Sequence, residues 1–229
     1  MFGIDPGESL GGAPTDTTLP DPVTGAWVDF NSFNIAPTRT VAVCRHDDTG
    51  TPELRLMRWG LIPHWSKDAK SAARMINARA ETAAEKPSFR TPMRARRCIV
   101  PATGFFEWKR AGKLKQPYFF RSTGDTPLAL AGLWERWQDG SGGIIHTCTI
   151  LTTDANATVG QVHHRMPVIL PPDAFDAWLD APRTPIDALR PLLSPCPADV
   201  IEAYPVSTLV NNARNDEPRC IEPLGDLLG

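Results

Sequence analysis

The sequence predicts an α+β protein built mostly of short strands. Its 229 residues are 41% hydrophobic and 22% charged, which is ordinary for a soluble globular protein and excludes a disordered or coiled-coil chain. The 23 prolines and 17 glycines favour frequent turns. Short apolar runs, about eight in all, lie between these turns, as they do in a barrel or a sandwich.

The predicted elements follow from the pattern of each segment. Runs rich in β-forming residues predict strands at 40–45, 54–59, 97–101, 105–109, 117–121, 128–134, 144–152 and 167–170, with a turn at 47–52. Helices are predicted at 172–179 and 185–193, where proline precedes a one-sided apolar pattern. Residues 72–84 are expected to be helical in part, and residues 1–32 to form a loose arm of one domain spanning 1–229.

Neither a membrane span nor a secretory leader is expected. No apolar run approaches the ~20 residues needed to cross a bilayer, and the first residues lack the basic and apolar regions of a signal peptide. The five cysteines are widely spaced without a CxxC pair, so we expect free thiols in a reducing cytoplasm. We expect no metal and no cofactor, because the sequence has neither a CxxC pair for a metal nor a glycine-rich nucleotide-binding motif.

Positive charge is concentrated in one part of the chain. Residues 55–121 hold 16 Lys+Arg against 4 Asp+Glu, whereas the remaining residues hold 8 against 22. This imbalance favours a polyanionic partner, and nucleic acid is the best candidate. The alternative is a basic face that neutralises acidic surface elsewhere in the molecule.

Two tryptophans flank a Gly/Pro turn in Trp59–Trp65 (WGLIPHW). Trp65 lies among lysines and an arginine, and an aromatic ring in such surroundings can stack on an unpaired base of a single strand. The alternative is that both tryptophans pack in the core, which we favour for Trp59.

The segment Met75–Thr82 (MINARAET) carries an amide, a guanidinium and a carboxylate at alternate positions. If the segment is extended, Asn77, Arg79 and Glu81 share one face. Arg79 would then bind a phosphate, and Glu81 would hold Arg79 in place. If it is helical, the three side chains diverge on a solvated surface. The residues alone leave both alternatives open.

Glu107 is a lone carboxylate among aromatic residues in Gly104–Lys109 (GFFEWK). Loss of water around a carboxylate raises its pKa toward neutrality, which would suit Glu107 to general acid–base catalysis. The alternative is that Glu107 pairs with Lys109 or another cation on the outer face of a strand.

His163 and His164 precede a predicted strand. Adjacent residues of an extended chain point in opposite directions, so we do not expect both imidazoles to bind one metal. One histidine facing a cleft beside Arg165 is the functional interpretation. A hydrogen-bonded structural histidine is the alternative.

Taken in order, these motifs resemble the SRAP family, abasic-site processing proteins linked to the SOS response. The matching segments are 34–38 (NIAPT), 58–65 (RWGLIPHW), 77–82 (NARAET), 86–90 (KPSFR), 97–109 (RCIVPATGFFEWK), 130–135 (LAGLWE), 151–155 (LTTDA) and 163–170 (HHRMPVIL). The resemblance extends from about residue 31 to the C-terminus.

The resemblance implies a compact, mostly β, barrel-like fold with a few peripheral helices. It implies a cytoplasmic, nucleoid-associated monomer that binds single-stranded DNA in a basic groove. Family members remove their initiator methionine and expose an N-terminal cysteine, whose amine and thiol form a thiazolidine cross-link with an abasic site. By motif matching, Asn77 would position the N-terminal residue, Glu107 would shuttle protons, and His163 would protonate the sugar ring oxygen or assist reversal. The residues matched to DNA binding are Asn34, Pro37, Trp65, Arg79 and Arg165.

The sequence departs from this family at its start. Family members begin Met-Cys-Gly-Arg, whereas here Phe2 follows Met1. None of the five cysteines has a free α-amine, so the chain as written is not expected to form a thiazolidine. Because Met1–Asp5 resembles an internal family segment, we expect a start codon placed too late. The alternatives are a non-catalytic module that binds single-stranded DNA, and an unrelated barrel hydrolase using Glu107 and His163.

Overall fold

The computed structural model describes residues 18–20, 27–29, 32–70, 72–112, 114–124, 126–181 and 183–225. Its strands are β1 (Thr18–Pro20), β2 (Trp27–Asp29), β3 (Thr40–His46), β4 (Pro52–Trp59), β5 (Asn77–Arg79), β6 (Arg97–Ala102), β7 (Gly104–Ala111), β8 (Leu114–Ser122), β9 (Leu128–Gln138), β10 (Ile144–Asp154), β11 (Arg165–Pro167) and β12 (Ile201–Pro205). Its α-helices are α1 (Ala80–Ala83), α2 (Arg90–Ala95), α3 (Phe175–Leu179) and α4 (Ile186–Leu189). Short 3₁₀ turns occupy Ala72–Arg74, Val159–Gln161, Pro172–Ala174, Arg190–Leu193, Ala198–Val200, Thr208–Asn211 and Pro218–Cys220.

Five of these strands close into a mixed barrel. Strand β3 pairs antiparallel with β4 and β6, β6 pairs with β9, and β9 pairs with β10. The ring closes where β10 runs parallel to β4 at Thr147 and Cys148. The prediction of a mostly β, α+β fold is confirmed, and the open choice between barrel and sandwich is decided in favour of the barrel.

Two short strands extend the barrel at one end of β10. β5 runs parallel to β10 at Ile150–Thr152, and β11 pairs antiparallel with β10 at Thr152–Asp154. A separate antiparallel sheet has the strand order β12-β8-β7. Its inner face contributes Phe120 to the apolar cluster that fills the barrel, together with Val43, Met57 and Cys148.

The short helices cover the outer face of β6 and β9. Met93 of α2, Trp178 of α3 and Leu189 of α4 are buried there against Leu133. Arg97 at the start of β6 is also buried, and its guanidinium donates to four backbone carbonyl groups in and near α2 and α3. Burial lowers the pKa of Arg97 to about 10. Arg97 thus satisfies carbonyl groups near helix ends, which otherwise lack partners.

Most sequence-based element predictions are confirmed, with differences at the ends. The strand predicted at 167–170 begins earlier, at Arg165, and residues 168–170 continue beside β9 through hydrogen bonds to Ala129 and Ala131. The helix expected within 72–84 is reduced to a 3₁₀ turn and α1. In the predicted loose arm, β1 and β2 pair antiparallel. The remaining residues of 1–31 lie outside the described part, and one domain over 1–229 stays a prediction.

The described thiols are all free, as expected. Burial raises the pKa of Cys148 to about 12 and that of Cys196 to about 11, so neither is a thiolate at neutral pH. Within the described ranges, the longest apolar helix falls short of what a membrane crossing requires.

Candidate functional site

Asn77 and Arg79 lie on an open face beside the end of β10. Strand β5 exposes both side chains and buries Ala78 between them, so the extended alternative holds for residues 77–79. The chain then turns into α1, which carries Glu81 away from that alternation. Neither Asn77 nor Arg79 has a side-chain hydrogen bond or ion pair to another described residue.

The Glu81 carboxylate, which the sequence analysis paired with Arg79, is bound by Arg165 instead. Its Nη1 and Nη2 atoms donate to the two oxygens of Glu81 at 2.7 and 2.9 Å. Nη1 also donates to Asp154 at 2.7 Å, and Nη2 donates to the Thr152 carbonyl at 2.6 Å. The expectation that Glu81 holds Arg79 is therefore wrong, because the turn into α1 directs Glu81 toward β11.

Glu107 and His163 are brought together from β7 and the loop before β11. His163 Nδ1 lies 3.5 Å from a carboxylate oxygen of Glu107. The same nitrogen lies 3.1 Å from the carbonyl oxygen and 3.2 Å from the amide nitrogen of Arg165. His163 Nε2 has no hydrogen bond to another described residue, so it is the ring nitrogen free to exchange a proton with a bound molecule.

The surroundings of Glu107 favour its protonated form. Burial raises the pKa of Glu107, and the nearby His163 and the Trp108 amide oppose that shift without cancelling it. The side chain keeps 26% of its exposure, so solvent and substrate can still reach it. A carboxyl group with a raised pKa beside an imidazole is an arrangement suited to proton transfer. The alternative pairing of Glu107 with Lys109 is not found among the described ion pairs.

His163 and His164 do not point in opposite directions as predicted. Their ring centroids are 4.5 Å apart, because these residues precede the first hydrogen-bonded pair of β11 rather than belonging to the strand. The described residues include no group of three or more His, Cys, Asp or Glu side chains that could hold a metal ion.

The side-chain amide of Asn34 is hydrogen-bonded to the segment 210–215. Its Nδ2 donates to the carbonyl oxygens of Val210, Asn212 and Asn215 at 3.0–3.3 Å. The carboxylate of Asp216 accepts from the amides of residues 33 and 34 and from the hydroxyl of residue 32. The segment that holds Asn34 also contacts β7, since Trp108 Nε1 donates to the side-chain oxygen of Asn211 at 2.7 Å.

Pro37 lies exposed in a tight turn beside β5. The next residue, Thr38, has φ 72° and its amide donates to the Trp59 carbonyl at 2.8 Å. Trp59 Nε1 in turn donates to the Ile76 carbonyl at 2.8 Å, directly before Asn77. Trp59 packs against the barrel interior, so the core alternative holds for this tryptophan.

Trp65 is 57% exposed, but its loop is fastened far from Glu107. The next residue, Ser66, accepts from Trp137 Nε1 at 2.7 Å, and Trp137 pairs with Ile145 on β10. Strand β11 begins to pair with β10 only at Thr152. Seven residues of strand correspond to about 23 Å, so Trp65 belongs to a flanking surface rather than to the Glu107–His163 pair.

Part of the positive charge in 55–121 is used within the protein. Arg96 pairs with the buried Glu135 at 2.7 Å, and Arg121 pairs with Glu202 at 2.6 Å. Arg55 lies 3.5 Å from Glu53, and Arg97 is buried as described above. The alternative of internal neutralisation therefore accounts for some of the excess, whereas Arg79 remains open on the site face.

Sequence reasoning gave no role to Thr152, Asp154 or Asn211. In the structure, the Arg165 guanidinium donates to the Asp154 carboxylate and to the Thr152 carbonyl. Asn211 accepts a hydrogen bond from Trp108 Nε1. The segment LTTDA is among the segments that resemble the family, but its contacts depend on register and on distant pairing, which a single sequence does not reveal.

The fold and site define a barrel protein in which Glu107 and His163 come together and Arg79 is exposed on the strand beside the end of β10. The chain belongs to the SRAP family, described as "SOS response associated peptidase (SRAP)", which it matches over residues 23–213.

The relatives carry a common name. The chain is 45% identical over 192 residues to the abasic site processing protein YoqW of Bacillus subtilis, covering 83% of this chain and 85% of that protein. It is 37% identical over 201 residues to the abasic site processing protein HMCES of Gallus gallus, covering 77% of this chain and 59% of that one. A crystal structure of a protein from Bacteroides thetaiotaomicron superposes with a TM-score of 0.73 at 32% identity, covering 81% of this chain and 82% of that one.

Proposed function

We propose that this protein binds single-stranded DNA and processes abasic sites on the face that carries Asn77, Arg79, Glu107 and His163. The observation that carries the proposal is the Glu107–His163 pair, two proton-transferring groups 3.5 Å apart with the pKa of Glu107 raised by burial. The names of the relatives support the choice of substrate.

The proposed reaction requires an N-terminal cysteine of the kind that the family resemblance implies. Its α-amine adds to the aldehyde carbon of the ring-opened abasic sugar, and loss of water gives a Schiff base. The thiol then adds to the same carbon, and its proton passes to the nitrogen. One water molecule is released overall, and closing the ring within one residue makes the second step fast.

Each residue of the open face has a part in this scheme. Glu107 protonates the oxygen that leaves as water, and His163 Nε2 protonates the sugar ring oxygen or assists reversal. Asn77 positions the N-terminal residue with its free amide. Arg79 binds a backbone phosphate, because a guanidinium without a carboxylate partner is open to one. Trp65 stacks on a base of the flanking strand.

The two residues of the N-terminal segment divide their roles. The Asn34 amide is satisfied by three carbonyl groups, so we assign Asn34 to holding its loop against the C-terminal segment. Pro37 is exposed beside β5 and lines the face that the DNA contacts.

Salt-dependent binding of single-stranded oligonucleotides tests the DNA-binding part. Arg79→Gln is expected to weaken binding several-fold and to reduce the slope of log affinity against log salt by about one, as loss of one phosphate contact does. Arg183→Gln is the matched control, because Arg183 is 87% exposed on a different surface. Equal effects of the two changes, or binding independent of salt, would contradict the proposal.

Formation of a detergent-resistant adduct with an abasic oligonucleotide tests the chemistry. The chain that begins with Phe2 should form none, and a form beginning Cys-Gly-Arg should form one. In that form Glu107→Gln should slow the reaction by ~10²–10⁴-fold, since it keeps the shape and removes the transferable proton. Exposed Glu85→Gln serves as control. DNA binding without an adduct in any form would instead support the non-catalytic binding module.

A further inference from the structure

The guanidinium of Arg165 has little capacity left for a phosphate. It has four hydrogens on Nη1 and Nη2, and these meet four acceptors: both oxygens of Glu81, one oxygen of Asp154 and the Thr152 carbonyl. The Nε hydrogen is buried without a hydrogen-bond partner. A DNA phosphate can therefore bind Arg165 only by displacing one of the acceptors already present.

The two carboxylates on Arg165 are held differently. Glu81 forms a two-pronged pair through both oxygens, the strong and directional geometry for arginine. Asp154 contributes one oxygen at 2.7 Å, and its side chain is 82% exposed against 47% for Glu81. Asp154 is thus the acceptor that solvent and an arriving anion reach first.

The local charges support an exchange of one anion for another. At the corner where β5 and β11 pair with the end of β10, Arg79 and Arg165 contribute two positive charges, and Glu81 and Asp154 contribute two negative charges. The pKa of Glu81 is lowered, first by its hydrogen bond to Arg165, so Glu81 stays charged. A phosphate that arrives without displacing Asp154 leaves an uncompensated negative charge, whereas a phosphate that replaces Asp154 keeps the corner neutral.

We propose that Asp154 is an exchangeable placeholder for a DNA phosphate on Arg165, and that it limits how tightly this face binds the DNA backbone. The inference rests on the proposed function. Glu81 and Thr152 keep Arg165 in place before DNA arrives, so Arg165 is pre-positioned, and Asp154 swings away when the phosphate takes its position. Asp154 is in this sense a residue that sets affinity, and it takes no part in the chemistry.

Binding of an unmodified single-stranded oligonucleotide to Asp154→Asn tests this exchange. The substitution keeps the shape and removes the charge, so we expect affinity to increase at least threefold at low salt. The gain should shrink as salt rises, because screening weakens the repulsion that was removed. Asp187→Asn is the matched control: Asp187 is 84% exposed and pairs with Arg190 at 2.9 Å on another surface. The control should change affinity little.

A double substitution separates the exchange from a general charge effect. In an Arg165→Gln background there is no guanidinium to release, so Asp154→Asn should give no gain beyond that of Asp187→Asn. If Asp154→Asn and Asp187→Asn act alike in the parent protein, the placeholder role is wrong while the DNA-binding function stands. If the parent binds no single-stranded DNA, both the function and the placeholder role fail. If Arg165→Gln does not fold, the salt dependence of the Asp154→Asn gain decides the question.

Discussion

At the scale of single residues, burial of the Glu107 carboxyl changes its pKa and, through it, the free energy of unfolding. Burial raises the pKa of Glu107 above the ordinary value of 4.5. Above that value the carboxyl therefore loses its proton more readily in the unfolded chain than in the folded protein. Ionised Glu107 therefore weakens the folded state as pH rises above this value, and the same raised pKa underlies the proposed proton transfer.

The measurable consequence is a pH-dependent effect of Glu107→Gln on stability. At pH 7 the glutamine variant should have a larger free energy of unfolding than the parent, and the difference should vanish below pH 4.5, where Glu107 is protonated in both states. Denaturant unfolding across this pH range measures it, with exposed Glu85→Gln as control. If the glutamine variant instead lost stability relative to the parent between pH 4 and pH 7, the charged carboxylate would be stabilising the fold.

At the scale of elements, sequence patterns predicted the long strands and missed the short connections. Strands such as Leu128–Gln138 are marked by an apolar run between turn residues, and most of their predicted positions fall within the observed bounds. By contrast, residues 77–83 change from strand to helix within one motif, because pairing with β10 overrides local propensity. Helix α2 was missed because its one buried stripe is Pro92 and Met93, too short to show a period.

The site follows the same division. Glu107 and His163 were named from local composition and family resemblance, and the structure brings the two together. The partner of Glu81 was misassigned, because the bond to Arg165 crosses 84 residues of sequence. Contacts between distant segments depend on register and turn geometry, and a single sequence reports neither.

The connection from β4 to β5 depends on one glycine. Gly60 has φ +128°, and an added Cβ would lie 2.6 Å from the Ala72 carbonyl oxygen. Its amide donates to the Cys148 carbonyl at 2.8 Å, and Leu61 next to it donates to Met75 at 3.0 Å. Gly60 therefore keeps the segment that leads to Asn77 against the barrel.

Gly60→Ala should lower the free energy of unfolding by about 2–4 kcal/mol, since backbone strain and the clash with Ala72 add. Gly140→Ala is the control, because its Cβ would meet no atom within 4 Å and its φ is ordinary. Chemical denaturation of the two variants beside the parent gives the comparison. A loss no greater than that of Gly140→Ala would show that the segment after Gly60 shifts freely.

At the scale of the whole molecule, the barrel has two unlike ends. The open face lies where β10 finishes, with β5 and β11 on either side of it. Toward the start of β10, the partly buried Trp134 ring lies 4.3 Å from the Arg45 guanidinium and 5.9 Å from the His146 ring. Arg45 is held there by Glu53. Cation–π and ion-pair contacts thus stabilise this end of the barrel, whereas the proposed binding face lies at the other end of β10.

The bonds between Asn34 and the segment around Asp216 have a consequence for how the protein is made. Asn34 is synthesised well before its acceptors at Val210, Asn212 and Asn215, which follow it by 176, 178 and 181 residues. Contacts this distant in sequence form late, after the intervening elements have folded. A growing chain that has completed the barrel strands therefore still lacks the segment that holds Asn34 and Trp108, and these contacts form only after residues 210–216 have been made.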